Sequence, residues 1–282
     1  MIDVIIPVYN GEKETIDCIE SLLNIDNVVD FRIIAINDKS PSEIICNYLK
    51  QKSMMDEIIL LENIENLGFV KSVNKGLRYS ENDVIILNSD TVVFNNLIDI
   101  LKKTAYKKKM IGTVTALTNS GTIVSLPKYN QDNCVPLETI VKIDCFLKEN
   151  YKNQYEIIPT GVGHCMFIKQ ELLSVIGFFD EDRFEKGYGE ENDFSLRAKK
   201  AGYDNVVSLE TIVYHYGGTS FGKNKLELIN DHKKILNKLY PLYRIEVRLF
   251  NLKNNKIKKI CRELEGKKMN TYLGEKYEHK KR

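Results

Sequence analysis

Four apolar runs in this 282-residue chain stop abruptly at polar side chains of a kind that could do chemistry. Ile5-Ile6 ends in Pro7-Val8-Tyr9-Asn10, whose backbone and ring can form an apolar slot for a flat base. Phe31 to Ile36 ends in Asn37-Asp38-Lys39-Ser40-Pro41, and Asp83 to Leu87 ends in Asn88-Ser89-Asp90. The fourth runs into Tyr214-His215-Tyr216-Gly217-Gly218-Thr219-Ser220, where a glycine-rich backbone can nest a phosphate. A fifth stretch, Gly187-Tyr188-Gly189, leads into the acidic pair Glu190-Glu191 at the start of a helix-period segment. Mg2+ and Mn2+ accept few protein ligands when phosphate oxygens complete the shell, so one carboxylate can suffice for a metal site, and an imidazole suits Mn2+ somewhat better than Mg2+. Plainer readings stand beside each: Asp38 as a turn and helix cap, His215 as a packed strand histidine, and Glu190-Glu191 as an acidic first turn favoured by the helix dipole.

The elements that must position these residues alternate between buried-strand runs and helix-period segments, the sign of a largely parallel sheet with crossover helices. Strands are expected over Asp3 to Val8, Phe31 to Ile36, Ile58 to Leu61 and Asp83 to Leu87, with helices over Glu14 to Leu23, from Pro41 and through Val70 to Leu77. Such sheets bind ligands at the carboxyl ends of their strands, where the polar residues fall. From Gly112 to Val162 the pattern loosens, with turns at Asn119-Ser120-Gly121 and Pro127 and one helix over Glu138 to Phe146. It returns as a strand over Gly161 to Ile168, a helix over Glu190 to Ala201 and a last strand over Val206 to Tyr216. Helical spacing then continues through Leu226, Ile229, Ile235 and Leu239, and the apolar stripe weakens after Leu252.

Five segments, in order, resemble the family 2 glycosyltransferases of the GT-A fold: IIPVYN, INDKS, ENLGFVKSVNKGL, ILNSDT, and GYGEENDFSLRAKKAGY followed by VYHYGGTSF. They span about residues 3 to 221. The resemblance implies an inverting transferase with a GT-A domain over 1–222, divided into a nucleotide-binding half (1–111) and an acceptor-side half (112–222), and a basic, mainly helical tail over 223–282. It implies a UDP- or dTDP-sugar donor held by Pro7, Val8, Tyr9, Asn10, Asp38, Asn66, Gly68, Asn74, Asn88, Ser89 and Asp90, with Asp38 accepting from the imide N–H of the base. Where the family usually carries Asp-x-Asp, this chain has Asn88-Ser89-Asp90, which leaves Asp90 as metal ligand and Asn88 as a weaker, ribose-facing partner. His215 is the second expected ligand for Mn2+ or Mg2+, Glu191 the expected catalytic base, and Gly163, His164, Glu190 and Asp193 are expected on the sugar or acceptor side. A packing role for His164 stands on equal terms. The acceptor expected is a glycan or a lipid-linked glycan of cell-surface synthesis.

Composition adds bounds. Residues 223–282 hold 18 Lys or Arg against 7 Asp or Glu, a net of +11, while the rest, with 23 against 32, carries −9. The tail is compatible with peripheral contact to anionic lipid, with a homo-oligomer contact or with a solvated face. It lacks the interleaved aromatics of a nucleic-acid reader. The six cysteines show no Cys-x-x-Cys pair, and the chain starts directly into an apolar run, so reduced thiols and a cytoplasmic setting at the inner face of the membrane are expected. Two other classes fit less well. A nucleotidyltransferase needs a glycine-rich, basic loop after the first strand, where Tyr9-Asn10-Gly11-Glu12 stands; a degenerate binding module has no reason to keep Asp90, Glu191 and His215 together.

Overall fold

The β-branched run near the start becomes β1 (Ile2–Val8), every residue of which is buried. The computed structural model describes residues 1–185, 187–217 and 225–266. After β1 come α1 (Glu12–Leu23), β2 (Phe31–Asn37), α2 (Glu43–Met54), β3 (Ile59–Glu62), α3 (Phe69–Tyr79) and β4 (Asp83–Leu87). These alternate as expected and give the parallel order β3-β2-β1-β4. The chain continues with β5 (Thr91–Val92), α4 (Leu97–Ala105), β6 (Ile111–Thr118), α5 (Leu137–Asn150), β7 (Tyr155–Ile157), β8 (Cys165–Ile168), α6 (Gln170–Ile176), α7 (Glu190–Lys200) and β9 (Asp204–His215). Three helices follow: α8 (Lys225–Leu239), α9 (Tyr243–Leu252) and α10 (Lys256–Glu265). This is an α/β fold with a mixed, mostly parallel sheet flanked by helices, in which β5, β7 and β8 run against the other strands.

The second half differs from its sequence pattern in two places. β6 lies in the loosened stretch, yet all eight of its residues are buried between β8 and β9. Its threonines disguise it, and they are tolerated because they are satisfied: Thr113 Oγ1 donates to Asn205 Oδ1 at 2.8 Å, and Thr115 Oγ1 accepts from Val162 N at 3.2 Å. The strand expected over Gly161 to Ile168 is shorter, since only Cys165–Ile168 pairs, antiparallel, with β4 and β6. That leaves Gly161 to His164 as a non-strand lead-in beside the carboxyl end of β4.

One apolar cluster joins α1, α2 and α4 to one face of the sheet, and another joins α3, α6 and α7 to the opposite face. A third gathers around β6 and β9 from α5 and the C-terminal helices. Its members include Phe250 of α9 and Ile257, Ile260, Cys261 and Leu264 of α10, so the apolar pattern that seemed to fade after Leu252 resumes on a helix with a buried face. No helix among the described residues is long and apolar enough to cross a membrane, and all six cysteines are unpaired.

Candidate active site

The carboxyl ends of β1, β2 and β4 open into a cleft of about 1670 Å³. Its lining includes Pro7, Val8, Tyr9, Asp38, Asn66, Gly68, Asn88, Ser89, Asp90, Gly163, His164, Glu190, Glu191 and His215, residues drawn from the whole length of the sheet. Three expected site residues lie elsewhere. Asn10, exposed at a positive φ of 58°, turns the chain from β1 toward α1 and is outside the lining. Asn74 is fully buried in α3, donates to Phe179 O at 2.9 Å and Glu181 Oε2 at 2.6 Å, and accepts from Phe179 N at 3.1 Å. With its amide spent on the segment after α6, it ties that segment to α3 and lies outside the cleft lining. Asp193 turns away on α7, where one oxygen accepts from Arg197 and the other from the Tyr240 hydroxyl at 2.7 Å.

Asp38 sits at the end of β2 because β2 pairs with β1 to its last residue, Asn37 opposite Val8. Its carboxylate accepts from Asn63 Nδ2 at 2.8 Å, Leu67 N at 2.7 Å and Gly68 N at 2.9 Å. The aspartate therefore fixes the Asn66-Leu67-Gly68 loop, while the helix that follows β2 is capped by Ser42, whose hydroxyl accepts from Ile45 N at 3.3 Å.

Asp90 and His215 are brought together by the β5 and β9 pairing, in which Thr91 stands opposite His215. His215 Nε2 lies 3.0 Å from Asp90 Oδ1, and Nδ1 lies 3.1 Å from Ser120 O. Both neighbours are acceptors, whereas a neutral imidazole carries one N–H. The ring thus requires either a second proton or a cation between Nε2 and the carboxylate. Burial by itself would lower the pKa of His215, but the hydrogen bond and charge of Asp90 outweigh it and the net direction is upward. Two adjacent ligands of an octahedral ion with bonds of about 2.1 Å stand about 3 Å apart, the spacing of this pair, so the two donors match what Mg2+ or Mn2+ would require of them. Among the described residues no group of three or more His, Cys, Asp or Glu side chains could hold a metal unaided, which leaves the other positions to phosphate oxygens and water.

The support for His215 comes from a stretch read only as a turn. Asn119 accepts from His215 N at 2.7 Å and donates to His215 O at 3.0 Å, gripping the end of β9 from both sides. His164 stacks near His215, ring centroids 5.9 Å apart, and donates from Nε2 to Ala116 O at 3.1 Å. Its burial, reinforced by the charge of His215, pushes its pKa down to about 3, so it stays neutral. That leaves its Nδ1 as an unpartnered buried acceptor, as is Asn88 Oδ1. Buried polar atoms without partners are uncommon in native structures, and both of these belong to residues that line the cleft.

On the opposite wall, three successive residues with positive φ, Gly187 (90°), Tyr188 (67°) and Gly189 (141°), swing the chain into α7. Both carboxyls of the acidic pair then converge on one amide: Gly189 N donates to Glu190 Oε2 at 3.0 Å and to Glu191 Oε2 at 3.2 Å. Burial raises the pKa of Glu190 well above the ordinary carboxylate value, and the nearby Glu191 charge adds to it. Burial raises Glu191 too, with hydrogen bonds, including those from Gly189 and Asn192, partly opposing it. The C-terminal helices buttress this wall: His232 of α8 contacts Gly187 O at 2.7 Å and Tyr188 O at 3.1 Å, and the hydroxyl of Tyr243 in α9 bonds Asn192. Nothing in the local pattern around His232, Tyr240 or Tyr243 marks them as supports. The Gly-Thr-Ser part of the glycine-rich loop, residues 218–220, lies outside the described residues.

The chain is similar to several known proteins. It is 28% identical over 193 residues to an uncharacterized glycosyltransferase of Rickettsia bellii, covering 62% of this chain and 27% of that protein. It is 24% identical over 261 residues to the minor teichoic acid biosynthesis protein GgaB of Bacillus subtilis, covering 82% and 27%. With glycosyltransferase GlyG of Streptococcus pneumoniae it shares 26% over 193 residues, covering 66% and 62%. It thus spans about a quarter of the length of the first two relatives and under two thirds of the third. In fold it is similar to GalNAc-T7, solved with UDP, GalNAc and Mn2+ (TM-score 0.61, 14% identity, 96% of this chain and 57% of that one). A mannosyltransferase of Pyrobaculum calidifontis, solved with GDP-Man and Mn2+, is similar to the same degree (TM-score 0.60, 15% identity, 97% and 76%). Residues 3–177 match the Glycosyl transferase family 2 profile, and with the sheet and cleft described above this makes the chain a member of glycosyl transferase family 2 with a GT-A fold.

Proposed function

We propose that the protein is an inverting, metal-dependent glycosyltransferase that moves a sugar from a UDP- or dTDP-sugar to a hydroxyl of a glycan or lipid-linked acceptor in cell-surface glycan synthesis. The observation that carries this reading is the meeting, in one cleft, of a carboxylate–imidazole pair on one side and a proton-accepting acidic pair on the other. The base lies against Tyr9 and Val8, and Asp38 accepts its imide N–H with lone pairs left over from the Asn66–Gly68 loop. Asp90 and His215 would hold a Mn2+ or Mg2+, which would supply the positive charge that offsets the negative charge gathering on the departing diphosphate.

Glu191 takes the proton of the acceptor hydroxyl as its oxygen bonds the anomeric carbon, and the pair from the breaking carbon–oxygen bond leaves with the nucleoside diphosphate. A carboxylate whose pKa burial has lifted is a stronger base than an ordinary one, which matches it to this task. Glu190, raised further, holds the shared proton of the pair and leaves Glu191 ionised. Asn192 donates to Glu191 Oε1 at 3.0 Å and fixes its orientation.

Melting temperature measured against UDP-, dTDP- and GDP-sugars, with and without Mn2+, tests the donor side, because a ligand that binds only the folded state raises its stability. A metal-dependent shift with uridine or thymidine donors is expected. A shift with GDP-sugars alone overturns the base assignment, and full activity of a Glu191→Ala enzyme overturns the base.

A further inference from the structure

Helix α9 carries a row of large apolar side chains that the fold leaves uncovered: Leu242 at its N-cap (66% exposed), Ile245 (54%), Leu249 (54%) and Leu252 (73%). Their spacing of three, four and three residues puts them on one helical face. The other side of the same helix is anchored, with Phe250 in the core around β9 and Tyr243 bonded to Asn192. Arg244, Arg248 and Lys253 are exposed beside the row, and the one acid on the helix, Glu246, is taken by Lys199 at 2.7 Å. An apolar ridge with a cationic margin, rigidly fixed to an otherwise acidic body, is the arrangement of a helix that lies in a membrane interface.

We propose that this face of α9 docks on an anionic lipid bilayer, with the four apolar side chains in the acyl boundary and Arg244, Arg248 and Lys253 at the headgroups. Charge decides between the occupants. A second copy would bring the same cationic margin against itself. Residues 267–282, with six Lys or Arg against two Glu, are cationic as well. A surface of anionic headgroups complements the margin, and the −9 of residues 1–222 turns the rest of the molecule away from it. The same helix bears on catalysis. Tyr243, on the side of α9 turned from the apolar row, bonds Asn192, which bonds Glu191, so the helix that docks also braces the base-bearing edge of the cleft. That last point rests on the transferase reading; the docking itself does not.

The test is cosedimentation of the full chain, without substrate, with vesicles of phosphatidylglycerol and phosphatidylcholine or of phosphatidylcholine alone, alongside an Ile245→Glu/Leu249→Glu double variant. Both positions are exposed, and an unchanged melting temperature shows that the variant folds. The expected result is binding to the anionic vesicles, at least tenfold weaker for the variant and for Arg244→Glu/Arg248→Glu, with little binding to the neutral ones. Equal binding by wild type and the apolar variant, or none by wild type, overturns the proposal. So does light scattering that finds a dimer the double variant dissolves, which would assign the face to a second copy. Because no turnover is read, a failure here leaves the transferase reading standing, and an inactive enzyme leaves the docking surface standing.

Discussion

The two walls of the cleft are built in opposite ways. On one wall, each lining residue is continuous with the strand that carries it: Val8 ends β1, Asp38 follows β2, and Asn88 follows β4. On the wall that carries Glu190 and Glu191, the supports arrive from far along the chain. His232 reaches Gly187 across 45 residues, and Tyr243 reaches Asn192 across 51. A wall made by strand ends is inherited from the sheet, while a wall made by distant contacts depends on each contact separately. Substitutions should therefore disturb donor binding and transfer in different proportions on the two sides.

The largest effect is expected where the walls meet. Asp90→Ala should lower kcat about a thousandfold and remove the Mn2+-dependent part of the melting shift, since His215 then faces the ion alone; steady-state turnover over a Mn2+ series checks both. Glu191→Gln should lower kcat by about 10²- to 10⁴-fold while the melting shift with donor stays nearly intact, which separates the walls directly. A comparable loss of donor binding would mean that the walls are not independent. The wild-type pH profile carries the same signature. Because the Glu191 pKa is raised, activity should fall on the acid side at a pH above the ordinary carboxylate range, as the base becomes protonated.

Smaller effects sharpen the contrast. Asp38→Ala strips the acceptor from three donors, including two backbone N–H groups, at about 1–3 kcal/mol for a buried donor left unsatisfied, and should raise the donor KM about tenfold with kcat little changed. His232→Ala should do the reverse, lowering kcat about tenfold through a loosened Gly187–Gly189 turn while donor KM holds. The smallest is a stability change. Glu190 has a folded-state pKa above its unfolded value, so the folded state binds the extra proton and stability falls as pH climbs from the unfolded value toward the folded one. Glu190→Gln removes that fall and should raise Tm by about 2–4 °C at neutral pH, with the gain vanishing in mild acid.

The difference between the walls also explains what could be read in advance. Pro7 to Tyr9, Asp38 and Asn88 to Asp90 were legible because an uninterrupted apolar run announces the strand and its abrupt end announces the site. Asn74 misled for a related reason. It lies on the right helix in the right segment, but helical phase turns it toward Phe179 and Glu181 rather than the cleft. Asp193 likewise faces Arg197 and Tyr240. β6 was missed although its threonines favour strands, because burying them on a central strand needs hydroxyl partners, and Asn205 and Val162 come from elsewhere in the chain.

Residue order alone determined the alternating strands and helices, the polar groups at the strand ends, the family and the separation of a basic tail from an acidic body, because each is written in neighbouring side chains. Only tertiary structure decided that Asp90 and His215 stand 3.0 Å apart, that burial raises the pKa of both Glu190 and Glu191, and that α10 hides one face while α9 leaves another bare. Distance, burial and hydrogen-bond partnership are set by contacts between residues tens to hundreds of positions apart, and no local pattern records which of those contacts will form.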